Sequence, residues 1–148
     1  MPGMFWNPRG LGEQEKRDFL VEYFCDHKLR FVGLHETKIR SISANLLNGF
    51  SGSNSFSWAV AASNWQSGGV SLGVNNDYYE IIDSEIGRFH TRMFVKDVEK
   101  NMVLNIVNIY GAPHAKDKQD FLIELLHAFS CNSFPFLVGG DFNIIRKK

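Results

Sequence analysis

Between Phe56 and Tyr110 the sequence falls into five short runs rich in β-branched and aromatic residues: FSWAVAAS, GGVSLGVN, YYEIIDSE, RFHTRMFVKD and MVLNIVNIY. Turn-type clusters such as NWQSGG, NND and DVEKN separate them. Runs of that length and composition predict a meander of strands joined by hairpins. The flanks have a different period. In EQEKRDFLVEYFCDHKL, Phe19, Leu20, Tyr23 and Phe24 share one helical stripe with charges opposite. In KDKQDFLIELLHAFSC, Phe121, Leu122, Leu125, Leu126 and Phe129 share another. GMFWN, RFVGLHE and FPFLVGGD read as further strands, and SISANLLN as a short helix capped by Ser41 or Ser43 with Gly49 past its end. The order is β-α-β, a short helix, several antiparallel strands, then β-α-β. Helices at both ends of a strand-rich middle predict an α/β or α+β layered sandwich, drawn as a single domain over residues 1–148.

A hydrophobic fraction of 44% and 13 phenylalanines supply a core and exclude a disordered chain. Net charge is +0, with 16 basic and 16 acidic residues, so no overall basic field advertises nucleic acid. The adjacent positive charges, Lys16–Arg17 and Arg146–Lys147–Lys148, are short runs, which leaves room only for a local basic groove. Cys25 and Cys131 are expected as buried, reduced thiols, which suggests an intracellular protein, nuclear or cytoplasmic. MPGMFW lacks a charged n-region, and no apolar run approaches the roughly 20 residues of a membrane span. Neither a membrane nor a protein partner is indicated.

The chemistry-bearing residues collect where apolar strands stop. FWN ends at Asn7, FVGLHE at Glu36, NIVNIY at Tyr110, and FLVGGDFN at Asp141 and Asn143. Strand ends that share one edge of a sheet are where folds of this kind assemble sites. Glu36 and Asp141 offer hard carboxylate oxygens, the donors that Mg²⁺ takes alongside waters and a substrate phosphate. Asn7 and Asn143 donate or accept hydrogen bonds, and Tyr110 adds a hydroxyl. Carboxylates, amides and a phenol without thiols argue against zinc and suit phosphoester hydrolysis. Singly, each residue has an ordinary reading: a strand-end Glu is a solvated terminus, DFN an Asx-type turn, and a Tyr before GAP an aromatic cap on a core. The combination carries the weight.

WNPRGLG, LHETK, GGVSLGV, NIYGAP and GGDFNIIR, in that order, resemble the N-terminal part of the endonuclease/exonuclease/phosphatase superfamily, the DNase I-like proteins. The wording is most similar to the endonuclease domain of plant LINE-type non-LTR retrotransposons, and the resemblance runs from Trp6 to Arg146. It implies a four-layered sandwich of two mixed sheets flanked by helices, with Mg²⁺- or Mn²⁺-dependent cleavage of phosphodiesters and DNA as the ancestral substrate. It implies Glu36 as the metal ligand, Asn7 beside metal and phosphate, and Tyr110 against the phosphate. By the same resemblance Asp141 would orient or deprotonate the attacking water and Asn143 would steady the transition state, with Arg9 a weaker candidate for a substrate contact.

The family pattern continues past GDFN to an Asp-His pair, and nothing follows Lys148 here. His27, His35, His90, His114 and His127 are read as structural rather than as replacements for that histidine. The expectation is a fold incomplete at its C-terminus and an isolated chain with little activity. General acid–base groups contribute about 10²–10⁴-fold. Metal binding survives more readily: carboxylates about 5 Å apart repel by roughly 3 kcal/mol at an effective dielectric of 20, which a divalent cation relieves. Two other readings stay open, a small-phosphoester phosphatase of the same fold and a non-catalytic, retrotransposon-derived binding or relic domain.

Overall fold

The computed structural model describes residues 3–6, 14–35, 56–61, 70–110 and 114–140. Strand β1 (Gly3–Trp6) leads through helix α1 (Gln14–His27) to β2 (Phe31–His35). Strands β3 (Phe56–Ala61), β4 (Val70–Asn75), β5 (Tyr79–Ile86), β6 (His90–Asp97) and β7 (Met102–Ile109) follow. A single 3₁₀ turn (Ala115–Asp117) opens into helix α2 (Lys118–Phe129), and β8 (Phe136–Gly140) comes last. The five-strand meander and both long helices expected from the pattern are present. The helix expected over 41–48 lies outside the described residues.

The strands form two four-stranded mixed sheets, in the orders β1-β2-β4-β3 and β5-β6-β7-β8. Each sheet contains one parallel pair, β1 with β2 and β7 with β8, and antiparallel neighbours elsewhere. A parallel pair needs a crossover connection, and α1 and α2 lie in those connections.

Three apolar clusters stack through the molecule. Leu20, Phe24 and Leu29 pack α1 on Val32 and Leu34 of the first sheet. Phe31, Leu72 and Val74 meet Met93, Val95 and Ile106 between the sheets. Val107 and Ile109 meet Phe121 under α2. Three interfaces make four layers, helix–sheet–sheet–helix, as the family resemblance implied. β2 shows why the layers form where they do. Its residues point alternately outward to α1 (Val32, Leu34) and inward between the sheets (Phe31, Gly33, His35), so both faces are covered and every residue is buried.

Three expectations change. Phe19 lies exposed at the rim of its stripe, although its ring stands 5.1 Å from that of Trp6. On α2 the buried side is Phe121 and Ala128, with Leu125 partly covered, while Leu122, Leu126 and Phe129 are exposed. The cause is Glu124, which turns toward the sheet because polar partners await it there. Cys131 is a free thiol as expected, but exposed rather than buried, since it follows the last turn of α2.

Candidate active site

The parallel pairs set the direction of four strand ends. In register, Trp6 lies beside Leu34 and Gly140 beside Ile109, so β1 and β2 end together, as do β7 and β8. Contacts between the sheets bring the two pairs to one edge. His35, the last residue of β2, hydrogen-bonds through Nε2 to Oδ1 of Asn108 on β7. The same asparagine donates from Nδ2 to the carbonyl of Ser71 at 2.8 Å and more weakly to that of Leu34 at 3.4 Å. With Nδ2 committed to two carbonyls, Oδ1 is the acceptor and the His35 Nε2–H the donor. Asn108 therefore spans the gap from the second sheet to two strands of the first.

The paired glycines of GGD have a steric reason. A side chain on Gly139 would collide with the Phe5 ring of β1. At Gly140 a Cβ would meet the Ile109 backbone and come within 2.9 Å of His35 Cε1, and its φ of 127° is one that only glycine adopts freely. β8 thus passes flush against β1, β2 and β7 just before Asp141.

Tyr110 follows β7 at this edge. It is buried, its ring stands edge-on to His35 with centroids 6.2 Å apart, and its amide donates to the Phe89 carbonyl at 2.8 Å. Of the residues expected to form the site, Tyr110 is the one the structure describes. Asn7, Arg9, Glu36, Asp141 and Asn143 lie outside the described residues, although the residues preceding three of them, Trp6, His35 and Gly140, end the converging strands. Among the described residues no group of three His, Cys, Asp or Glu side chains is placed to hold a metal ion. Glu36 and Asp141, the carboxylates expected from the sequence, are next in sequence to His35 and Gly140.

A second polar cluster supports the segment behind Tyr110. His90 is almost wholly buried, with Nδ1 2.6 Å from Glu124 of α2 and Nε2 2.7 Å from Glu85 of β5. Glu124 also accepts the Phe89 amide at 2.7 Å and the Arg88 amide at 2.9 Å. Burial works against charging His90, but the hydrogen bonds and charges of Glu124 and Glu85 outweigh it and raise its pKa above the ordinary 6.5. Burial likewise opposes ionisation of Glu124, yet the bonds from His90, Phe89 and Arg88 hold its pKa below 4.5. The Arg88 side chain pairs with Asp117 at 2.9 Å, tying the same turn to the start of α2. Neither this clamp nor the His35–Asn108 tie was visible in the sequence, where both histidines read only as structural.

The architecture matches solved structures. An endonuclease/exonuclease/phosphatase protein from Bacteroides vulgatus superposes with a TM-score of 0.63 at 18% identity, covering 95% of this chain and 64% of its own. A mannosyl-6-phosphatase from Bacteroides thetaiotaomicron gives 0.69 at 12% identity, covering 97% and 65%. TDP2 of D. rerio, solved with a single-strand DNA product, gives 0.69 at 13% identity, covering 97% and 61%. No protein-family model and no curated protein matches the sequence. At these identities the likeness is one of fold: the chain has the α+β architecture of the endonuclease/exonuclease/phosphatase, or DNase I-like, proteins. It spans under two thirds of the length of each of these neighbours.

Proposed function

We propose that the chain carries the metal-dependent phosphodiesterase site of this fold, acts on DNA, and is most akin to the endonuclease domain of plant LINE-type retrotransposons. One observation carries the proposal: the ends of β1, β2, β7 and β8, which lead to Asn7, Glu36, Tyr110 and Asp141, meet at one edge of the sandwich. Asn7, Glu36 and Asp141 are each next in sequence to a described strand end, and Tyr110 follows the end of β7. The wording of WNPRGLG and GGDFNIIR supports the retrotransposon-like variety.

In this reading Glu36 ligates Mg²⁺ or Mn²⁺, which when bound polarises the phosphoryl oxygens. Asn7 would stand beside the metal and the phosphate, and Tyr110 would contact the phosphate. Asp141 orients or deprotonates the attacking water. Asn143 stabilises the charge that grows on the phosphoryl oxygens, and Arg9 contacts the substrate strand. The test is titration of the chain with Mn²⁺ by calorimetry, together with nicking of supercoiled plasmid in Mg²⁺. Binding is expected in the wild type and not in Glu36→Gln, and any nicking is expected to vanish in Glu36→Ala and Asp141→Ala. Equal metal binding by wild type and Glu36→Gln, or nicking that survives both alanine variants, refutes the proposal.

The sugar-phosphatase neighbour and the neutral net charge favour one second reading, a small phosphoester as substrate. Phosphate release from a hexose phosphate in preference to plasmid nicking decides for it.

A further inference from the structure

The polar tie beneath the strand ends has a consequence for the residues that follow it. We infer that His35, held by Asn108, is a positioning residue that sets the spacing of the strand ends carrying the candidate metal and phosphate groups. The inference rests on the reading proposed above.

Three observations converge on this one side chain. The His35 ring reaches across the inter-sheet gap to Asn108, which is itself fastened to Ser71 and Leu34 carbonyls. The ring lies against the Gly140 position, where a Cβ would come within 2.9 Å of Cε1. It also faces the edge of the Tyr110 ring. One imidazole therefore touches the ends of β7 and β8 while being the end of β2. Around the tie the inter-sheet layer is built largely from the apolar side chains of Phe31, Leu72, Val74, Met93, Val95 and Ile106. Apolar packing fixes separation but is tolerant of sliding, whereas a directional hydrogen bond between buried groups fixes register. Gly33 opens the path for the tie: a Cβ there would stand 2.8 Å from the Asn108 amide carbon.

The role needs a donor at the Nε2 position and does not need an imidazole. Glutamine places an amide N–H at about that reach, and alanine places nothing. The chain, its His35→Ala, His35→Gln and Asn108→Ala variants and the His35→Ala/Asn108→Ala double variant are compared in two ways. The first, metal-free, is hydrogen exchange of the Tyr110 amide. The second is Mn²⁺ affinity. In His35→Ala and Asn108→Ala the amide is expected to exchange about 10-fold faster than in wild type, as for loss of one buried hydrogen bond at a strand end. Mn²⁺ affinity is expected to fall about 10-fold, as for loss of an outer-shell support, with the double variant no worse than either single. His35→Gln is expected within about 3-fold of wild type on both counts, since the donor is retained.

Unchanged exchange in His35→Ala, or His35→Gln behaving like His35→Ala, overturns the inference. A wild type that binds no Mn²⁺ while the exchange pattern holds overturns the metal reading and leaves the tie standing. The two failures are thus separable.

Discussion

Replacing Glu124 by glutamine isolates the clamp behind Tyr110. The carboxylate receives three hydrogen bonds, from Arg88 N at 2.9 Å, Phe89 N at 2.7 Å and His90 Nδ1 at 2.6 Å. A glutamine keeps one acceptor oxygen and must turn its NH₂ toward at least one of these donors. Losing the charge-assisted bond to His90 costs about 1.5–3 kcal/mol, and a poorly satisfied backbone N–H adds about 1 kcal/mol. The Glu124 side chain is 20% exposed and that of His90 2%, so screening by water trims this only modestly. The net is about 3 kcal/mol, which for a chain of this size lowers Tm by about 6–12 °C. The pKa of His90 is raised on folding, so its contribution is complete below the ordinary imidazole value of 6.5 and is lost as pH rises through the higher folded value. The pKa of Glu124 is depressed, so its contribution is present above 4.5 and is lost as pH falls through the lower folded value. The gap between wild type and Glu124→Gln is therefore greatest from about pH 4.5 to 6.5 and narrows toward alkaline pH. Thermal unfolding followed by circular dichroism across that range measures it. A gap below about 0.5 kcal/mol at pH 6, or one that widens as the pH climbs, would refute the reasoning.

Gly140→Ala is expected to destabilise by about 3 kcal/mol or more, because a methyl group meets the Ile109 backbone at a φ that alanine resists; an unchanged denaturation midpoint contradicts this. Phe121→Ala removes a ring buried under α2 and should cost about 3–5 kcal/mol. Leu126→Ala, at a residue 69% exposed, should stay within about 0.5 kcal/mol in the same urea titration. Tyr110→Phe is expected to leave Mn²⁺ affinity unaltered while lowering phosphodiester cleavage, an outcome read by comparing calorimetry with plasmid nicking; equal cleavage by the two forms excludes a role for the hydroxyl.

Local pattern determined the elements. The β-branched runs and their turn clusters placed β3 to β7, and the 3.6-residue period placed α1 and α2. The layered sandwich followed from the order of those elements. The rest depended on partners distant in the chain. Hydrophobic periodicity put Leu122 and Leu126 on the inner side of α2, but the Phe89 and Arg88 amides and the buried His90 draw Glu124 inward and rotate the helix accordingly. That preference is set by donors 34 to 36 residues away, which no local window contains. In the same way, the sequence located polar residues next to four strand ends, while the convergence of those strand ends is a property of sheet register. It depends on two parallel pairs ending together and on an Asn108 side chain reaching across to His35, 73 residues earlier. Side-chain chemistry is written residue by residue; the distance between two such residues is decided only when the sheets close on each other.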